Sequence, residues 1–183
     1  MDTPNILYDK EGFLFSNISK HQYHIQFFIE NNHIHLDQIV DFNLMKLIYD
    51  LNPDIYLYSN IEKMNENEAK VTLLLKHFFE DLGMPQRYSY VSMKKHIEDN
   101  QIIFTSQSIA DHVPDSIPND AKLLSINNMQ CICKIETPHK IMFTFNVQFN
   151  NNQITPPHSI QKMMGIVLHK IFKRVKQFIE NVK

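Results

Sequence analysis

Toward its C-terminal end the chain changes rhythm once. Ile141, Phe143, Phe145, Val147 and Phe149 alternate with Met142, Thr144, Asn146 and Gln148, which predicts a strand with one buried face. After Pro156 and Pro157 the period becomes helical. Ile160, Met164, Val167, Leu168, Ile171, Val175, Phe178 and Val182 form one stripe, with Lys162, His169, Lys173 and Lys176 opposite. A helix of about 25 residues would be roughly 37 Å long, enough to cross a whole sheet. Gly165 lies off the stripe and weakens the helix by about 1 kcal/mol relative to Ala. Upstream, Met129–Glu136 reads as a partner strand. A three-residue loop at Thr137-Pro138-His139 sets Ile135 opposite Ile141, Cys133 opposite Phe143 and Cys131 opposite Phe145, with Glu136 beside Lys140.

The remaining pattern predicts more hairpins. Ile6-Leu7-Tyr8 and Phe13-Leu14-Phe15 flank a turn at Asp9-Lys10-Glu11-Gly12. A second hairpin turns at Asn31-Asn32, placing Ile25, Phe27, Ile29, Ile34 and Leu36 on one face and His24, Gln26, Phe28, Glu30, His33, His35 and Asp37 on the other. Asp41 N-caps a short helix carrying Leu44, Leu47, Ile48 and Leu51, which stops at Asn52-Pro53. Ile55–Asn60 reads as extended. A second helix is predicted from an Asn65 cap, with Glu68 three residues on and Val71, Leu74, Leu75, Phe78 and Leu82 at helical spacing, ended by Gly83 and Pro85. A hairpin over residues 87–109 turns at Asp99-Asn100. Residues 110–121, with Pro114, Pro118, Asp111, Asp115 and Asp120, read as an exposed loop. The class is therefore α+β: an antiparallel sheet packed on a long C-terminal helix, in a single domain over residues 1–183. Two β-then-α halves, 13–83 and 87–183, would share one core.

Composition adds little to this architecture. With 43% apolar and 21% charged residues the chain is an ordinary globular one. Three glycines, and sixteen lysines to two arginines, are what AT-rich codon usage gives. The net charge of −2 argues against a protein coated in nucleic acid, but the residues from His158 onward carry +5 and the remainder −7. Cys131 and Cys133 sit two apart on one strand face, which predicts free buried thiols and a reducing, intracellular compartment. Met1-Asp2-Thr3-Pro4 has neither the basic start nor the apolar run of a leader, and no apolar stretch approaches a membrane span.

Candidate chemistry is sparse. His24, His33, His35 and Glu30 on one hairpin face have the residue types of a zinc site but lack cysteine partners. A partner-contacting or solvated face is the expectation there, with no metal and no cofactor. No nucleophile elbow, phosphate loop or Cys-x-x-Cys is present, so no catalytic residue is assigned and the chain is expected to be nonenzymatic. Cations offer the sharper candidate. Lys162, Lys173 and Lys176 on the final helix, with Arg87, Lys94 and Lys95 on a hairpin carrying Tyr88, Tyr90 and Phe104, could neutralise phosphates and stack bases.

Three resemblances bear on function. The runs Lys76-His77-Phe78-Phe79-Glu80-Asp81-Leu82-Gly83-Met84-Pro85-Gln86-Arg87 and His169-Lys170-Ile171-Phe172-Lys173-Arg174-Val175-Lys176-Gln177-Phe178 resemble uncharacterised proteins of large nucleocytoplasmic DNA viruses. That likeness implies a viral protein of the viral factory or virion. In layout the chain is similar to helix-grip folds. Lys134-Ile135-Glu136-Thr137-Pro138, before an alternating strand and terminal helix, resembles the last repeat of TATA-box-binding proteins, although their glycine-rich turns and phenylalanine wedges have no match. The order β, two helices, strands, long helix is also similar to the lipid-binding START and Bet v 1-like folds, whose glycine-rich loop is missing. The leading expectation is a nonenzymatic nucleic-acid-binding or transcription-related viral protein. Its alternatives are a helix-grip binder of small molecules or lipids, marked by a large apolar cavity, and a virion or complex scaffold with a protein partner.

Overall fold

The computed structural model describes residues 4–78, 80–110, 112–153 and 155–183. Met1 to Thr3 of the expected leaderless start, Phe79 of the quoted run and Asp111 of the expected loop lie outside the described residues. Among the described residues, ten strands and two α-helices follow one another: β1 (Asn5–Lys10), β2 (Phe13–Ser19), β3 (Gln22–Glu30), α1 (Phe42–Asp50), β4 (Tyr56–Lys63), β5 (Glu68–Leu75), β6 (Arg87–Glu98), β7 (Gln101–Ser108), β8 (Lys122–Leu123), β9 (Ile126–Thr137), β10 (Lys140–Phe149) and α2 (His158–Glu180). The sheet runs β1-β2-β3-β10-β9-β7-β6-β5-β4 and is antiparallel throughout, with β8 pairing parallel on β6. α1 and α2 lie on the face that carries Phe27, Phe143 and Phe104. This is the helix-grip arrangement: one sheet laid against a long C-terminal helix.

Local chemistry explains most boundaries. The β1–β2 turn is Glu11-Gly12 with both φ angles positive (54° and 77°), the two-residue hairpin geometry that glycine favours. Asp41 caps α1, accepting from the backbone N–H groups of Asn43 (2.7 Å) and Leu44 (3.1 Å). The β9–β10 register pairs Ile135 with Ile141, Cys133 with Phe143 and Cys131 with Phe145, as expected, and Lys140 reaches Glu136 at 3.2 Å. The cysteines are buried and unbridged, 3.7 Å apart, and burial pushes the Cys131 thiol pKa up.

Three expectations are corrected. First, the helix predicted over 65–83 is strand β5. Both faces of that strand are covered: Ala69 and Val71 join the main core, while Leu74 joins Tyr88, Tyr90, Ile117 and Ala121 in a second cluster on the other face. Two-sided burial gives a contiguous apolar run whose i, i+3, i+4 matches are accidental. Asn65 shapes the β4–β5 turn instead, accepting from Asn67 N–H at 2.8 Å. Within residues 13–83 the α-helix is Phe42–Asp50, and a 3-10 turn follows at Glu80–Leu82. Second, Ile34 and Leu36 do not form a strand. β3 pairs with β2 and β10, and the chain leaves the sheet at Asn31. Third, the buried face of α2 is rotated from the predicted stripe: Gly165, His169, Phe172 and Ile179 are buried, and Phe178 is 48% exposed.

The rotation has a cause in Gly165. A Cβ built there would lie 2.7 Å from Tyr8 Cβ and 3.1 Å from Phe15 Cδ1, so the helix backbone rests directly on β1 and β2. Gly165→Ala should therefore destabilise the fold by about 1–3 kcal/mol, although the same change stabilises an open helix by about 1 kcal/mol. Urea denaturation reads the sign, and a more stable variant would refute the contact.

Candidate functional site

The space enclosed by the sheet, α1 and α2 is built from apolar side chains. β3 and β10 contribute Phe27 and Phe143, whose rings stack at 5.1 Å between centroids, and Phe145 at 6.2 Å from Phe27. α2 inserts Phe172 among them, 4.5 Å from Phe27, 5.3 Å from Phe145 and 6.1 Å from Phe13. α1 adds Leu44, Met45 and Ile48. Among the voids that remain are two of about 10 Å³ each, lined only by apolar residues. They share Ile29, Leu44 and Phe143, so they are neighbours along one trough. A space of this size accepts about one water molecule. The interior is closed, with its own phenylalanines filling the centre.

Polar contacts hold α2 along its rim. At the β1–β2 turn, Tyr8 Oη lies 2.9 Å from His169 Nδ1, His169 Nε2 lies 3.6 Å from Glu11, and Lys173 donates to Glu11 at 2.7 Å. Beyond the end of α1, Asp54 accepts from both Arg174 and Lys170, the latter at 2.6 Å. Those two cations hold the Asp54 carboxyl well below the usual carboxylate range, Arg174 most strongly. Asn52, fully buried, donates to the Ile48 carbonyl at 2.8 Å and accepts from Arg174 at 3.0 Å. At the other end Asn31 donates to the carbonyls of Ile179 (2.6 Å) and Val182 (2.9 Å), tying the C-terminal end of α2 to the end of β3. Lys176 donates to the Phe28 carbonyl at 3.1 Å, and its ammonium sits 3.6 Å from the centre of the Phe28 ring.

The six cations proposed for nucleic acid are not assembled into one patch. Lys173 and Lys176 are engaged as described, Lys176 also with Glu180 at 3.4 Å. Lys94 pairs with Glu68 across β5 and β6 at 3.1 Å. Lys162 is exposed near the start of α2, Arg87 begins β6, and the backbone of Lys95 bonds Asn67. α2 packs against β1 and β3, and β6 lies four strands beyond β3 in the sheet. The histidines are likewise separated: His24 bonds Asn146 at 2.9 Å across β10, while His33 and His35 lie past the end of β3. In the sequence Asn31 reads only as a turn residue and Asn52 only as a helix stop, and Asp54 is not singled out. Their extra role shows in sequence as nothing more than Asn-Pro-Asp after a helix.

No protein-family model and no curated protein matches the sequence. Solved structures do match its fold. The lipid transfer and protein localization domain of human StarD13 aligns over 100% of this chain and 91% of its own, with TM-score 0.69 and 8% identity. Human StAR-related lipid transfer protein 5 aligns over 97% of this chain and 88% of its own (TM-score 0.66, 12% identity). A StAR-related lipid transfer protein fragment from Xanthomonas axonopodis aligns over 97% and 98% (TM-score 0.63, 12% identity). At these identities the likeness establishes the helix-grip fold. It also corrects the viral, DNA-binding and transcription-related expectation: the neighbours are lipid-transfer domains of human and bacterial proteins, and nothing indicates an origin in a large DNA virus. Among the described residues, no helix is long and apolar enough to cross a membrane.

His169 gives the rim a pH dependence. Burial lowers its pKa below the usual histidine value, against the opposing pull of Glu11 and with help from Lys173 and Lys10. The folded protein thus binds a proton at His169 less readily than the unfolded chain does. This contribution to stability is complete above about pH 6.5, the unfolded value, and is lost as pH falls toward the depressed folded value. Urea denaturation between about pH 5 and pH 7.5 should show wild type losing more stability on acidification than His169→Gln. Equal slopes would mean that the His169 imidazole titrates alike in the folded and unfolded protein.

Proposed function

We propose that the protein is a nonenzymatic carrier of a lipid or other small apolar molecule, held between the concave sheet face, α1 and α2. The observation that carries this reading is the division of labour around α2. Its inner face meets an apolar trough lined from three separate elements, while its polar fastenings lie on the rim at Glu11, Asp54 and Asn31. Likeness over the whole chain to domains named for lipid transfer supports it. With voids of about 10 Å³, the free form is closed. A ligand enters by displacing Phe172 and Met45 and by loosening α2, and the flexible Met side chain suits such repacking.

A filled interior also favours a second reading, a helix-grip module that binds another protein through its surface. Ile6 (59% exposed), Met163 (48%) and Ile166 (55%) supply exposed apolar side chains on β1 and α2 for it.

One experiment separates the two. A neutral fluorescent probe such as N-phenyl-1-naphthylamine should be taken up saturably, about one per chain. Organic extracts of the purified protein should contain a stoichiometric apolar compound. Absence of both removes the carrier reading. Asp54→Asn, which frees Lys170 and Arg174, should speed probe uptake several-fold in stopped flow. An unchanged rate would show that this part of the rim does not gate entry.

A further inference from the structure

Two hydroxyls on the concave face have nothing to bond. Tyr23 on β3 and Ser106 on β7 are each 4% exposed, and neither Tyr23 Oη nor Ser106 Oγ has a hydrogen-bond partner among the described residues. A buried hydroxyl without a partner costs free energy, and natural folds keep few of them. Asp37 Oδ1 is the third such atom, but it lies 3.9 Å from His35 Nδ1 at the surface. Burial raises the Tyr23 phenol pKa, so the group stays a neutral donor.

The two hydroxyls belong to one row. By strand alternation Tyr23 shares the face of Ile25 and Phe27, and Ser106 shares that of Ile102 and Phe104. Across the sheet, Tyr23 pairs with Val147, Val147 with Met129, and Met129 with Ser106. At about 4.8 Å per strand, the ends of the row are roughly 14 Å apart. Val147 and Met129 between them are half-buried, whereas Phe145 and Cys131, one step further in, are buried. The row therefore marks the outer end of the apolar trough, with a hydroxyl on each flank.

We propose that Tyr23 and Ser106 are the polar anchors of the interior site, and that its ligand is an amphiphile with a neutral hydrogen-bonding head, a hydroxyl or carbonyl, on an apolar body. This rests on the carrier reading above. A head over Val147 meets the Tyr23 hydroxyl, and one over Met129 meets Ser106. The apolar body runs inward past Phe145 toward Phe27 and Phe172. An ionised head is disfavoured, because no residue of the row is charged and a buried unpaired charge costs far more than a buried hydroxyl.

The test is displacement of N-phenyl-1-naphthylamine by dodecanol and by chlorododecane, matched in length but differing in the head. Wild type should bind dodecanol about tenfold more tightly, the worth of one net hydrogen bond. Tyr23→Phe combined with Ser106→Ala should abolish that preference while leaving chlorododecane affinity unchanged. The same variant should melt at a higher temperature without ligand, because it removes two unsatisfied groups. Uptake of both compounds with no preference, or a preference that survives in the variant, overturns the anchors and leaves the carrier reading standing. No uptake of dye or of either compound overturns both.

Discussion

The contact on which the structure depends is Phe172 against Phe27. The ring comes from α2, the last element, and lands on β3, among the first, with Phe145 of β10 and Phe13 of β2 around it. Each buried phenylalanine contributes about 1.5–3 kcal/mol of apolar burial, and well-placed ring pairs add about 0.5–1.5 kcal/mol. The same ring sets the capacity of the interior. A smaller residue would leave a room where the protein now has spaces of about one water each. Stability of the free form and access for a ligand therefore compete for one side chain.

The charge split along the chain has a structural explanation. Three cations of α2 are matched by acids from the other region: Glu11 by Lys173, and Asp54 by Lys170 and Arg174. An isolated helix with this stripe would look like a ligand for polyanions. In place, it is a row of short-range fastenings whose partners are separated in sequence by more than a hundred residues. Exposed ion pairs of this kind add little stability one by one, but they fix where along its length the helix is held. Asn31 and Asn52 do the same with buried side-chain amides, bonding backbone carbonyls at the last turns of α2 and α1.

Where a residue pattern was local and one-sided, it could be read directly. The β9–β10 register, the Asp41 cap, the Asp99-Asn100 turn and the inward set Ile25, Phe27 and Ile29 all follow from alternation or capping. The strand at Glu68–Leu75 could not be read, because covering by the second cluster erases alternation in the one property that a periodicity argument uses. The inner face of α2 was misjudged for a similar reason. Gly165 and His169 count as polar or neutral in sequence, yet one permits close approach and the other finds Tyr8. The interior trough was legible as an apolar face but not as a site, since which phenylalanines meet depends on long-range pairing. Tyr23 and Ser106 were invisible because a missing hydrogen bond leaves no mark in a sequence.

The seam between β3 and β10 carries a consequence for the order of assembly. β1, β2 and β3 form hairpins from adjacent residues, and β4 to β7 can do likewise. In the sheet path of the described residues the two groups join through β10, which is paired on one side with β3 and on the other with β9. Joining them closes a loop of more than a hundred residues, and non-local pairings of that kind slow folding. Until β10 arrives, β3 presents an open edge bearing Tyr23, Ile25, Phe27 and Ile29, a strand of high sheet propensity with no partner on that side. The fold is thus most exposed to wrong pairing just before its last strand docks, and the N-terminal hairpins are where a chaperone or a second chain would find it.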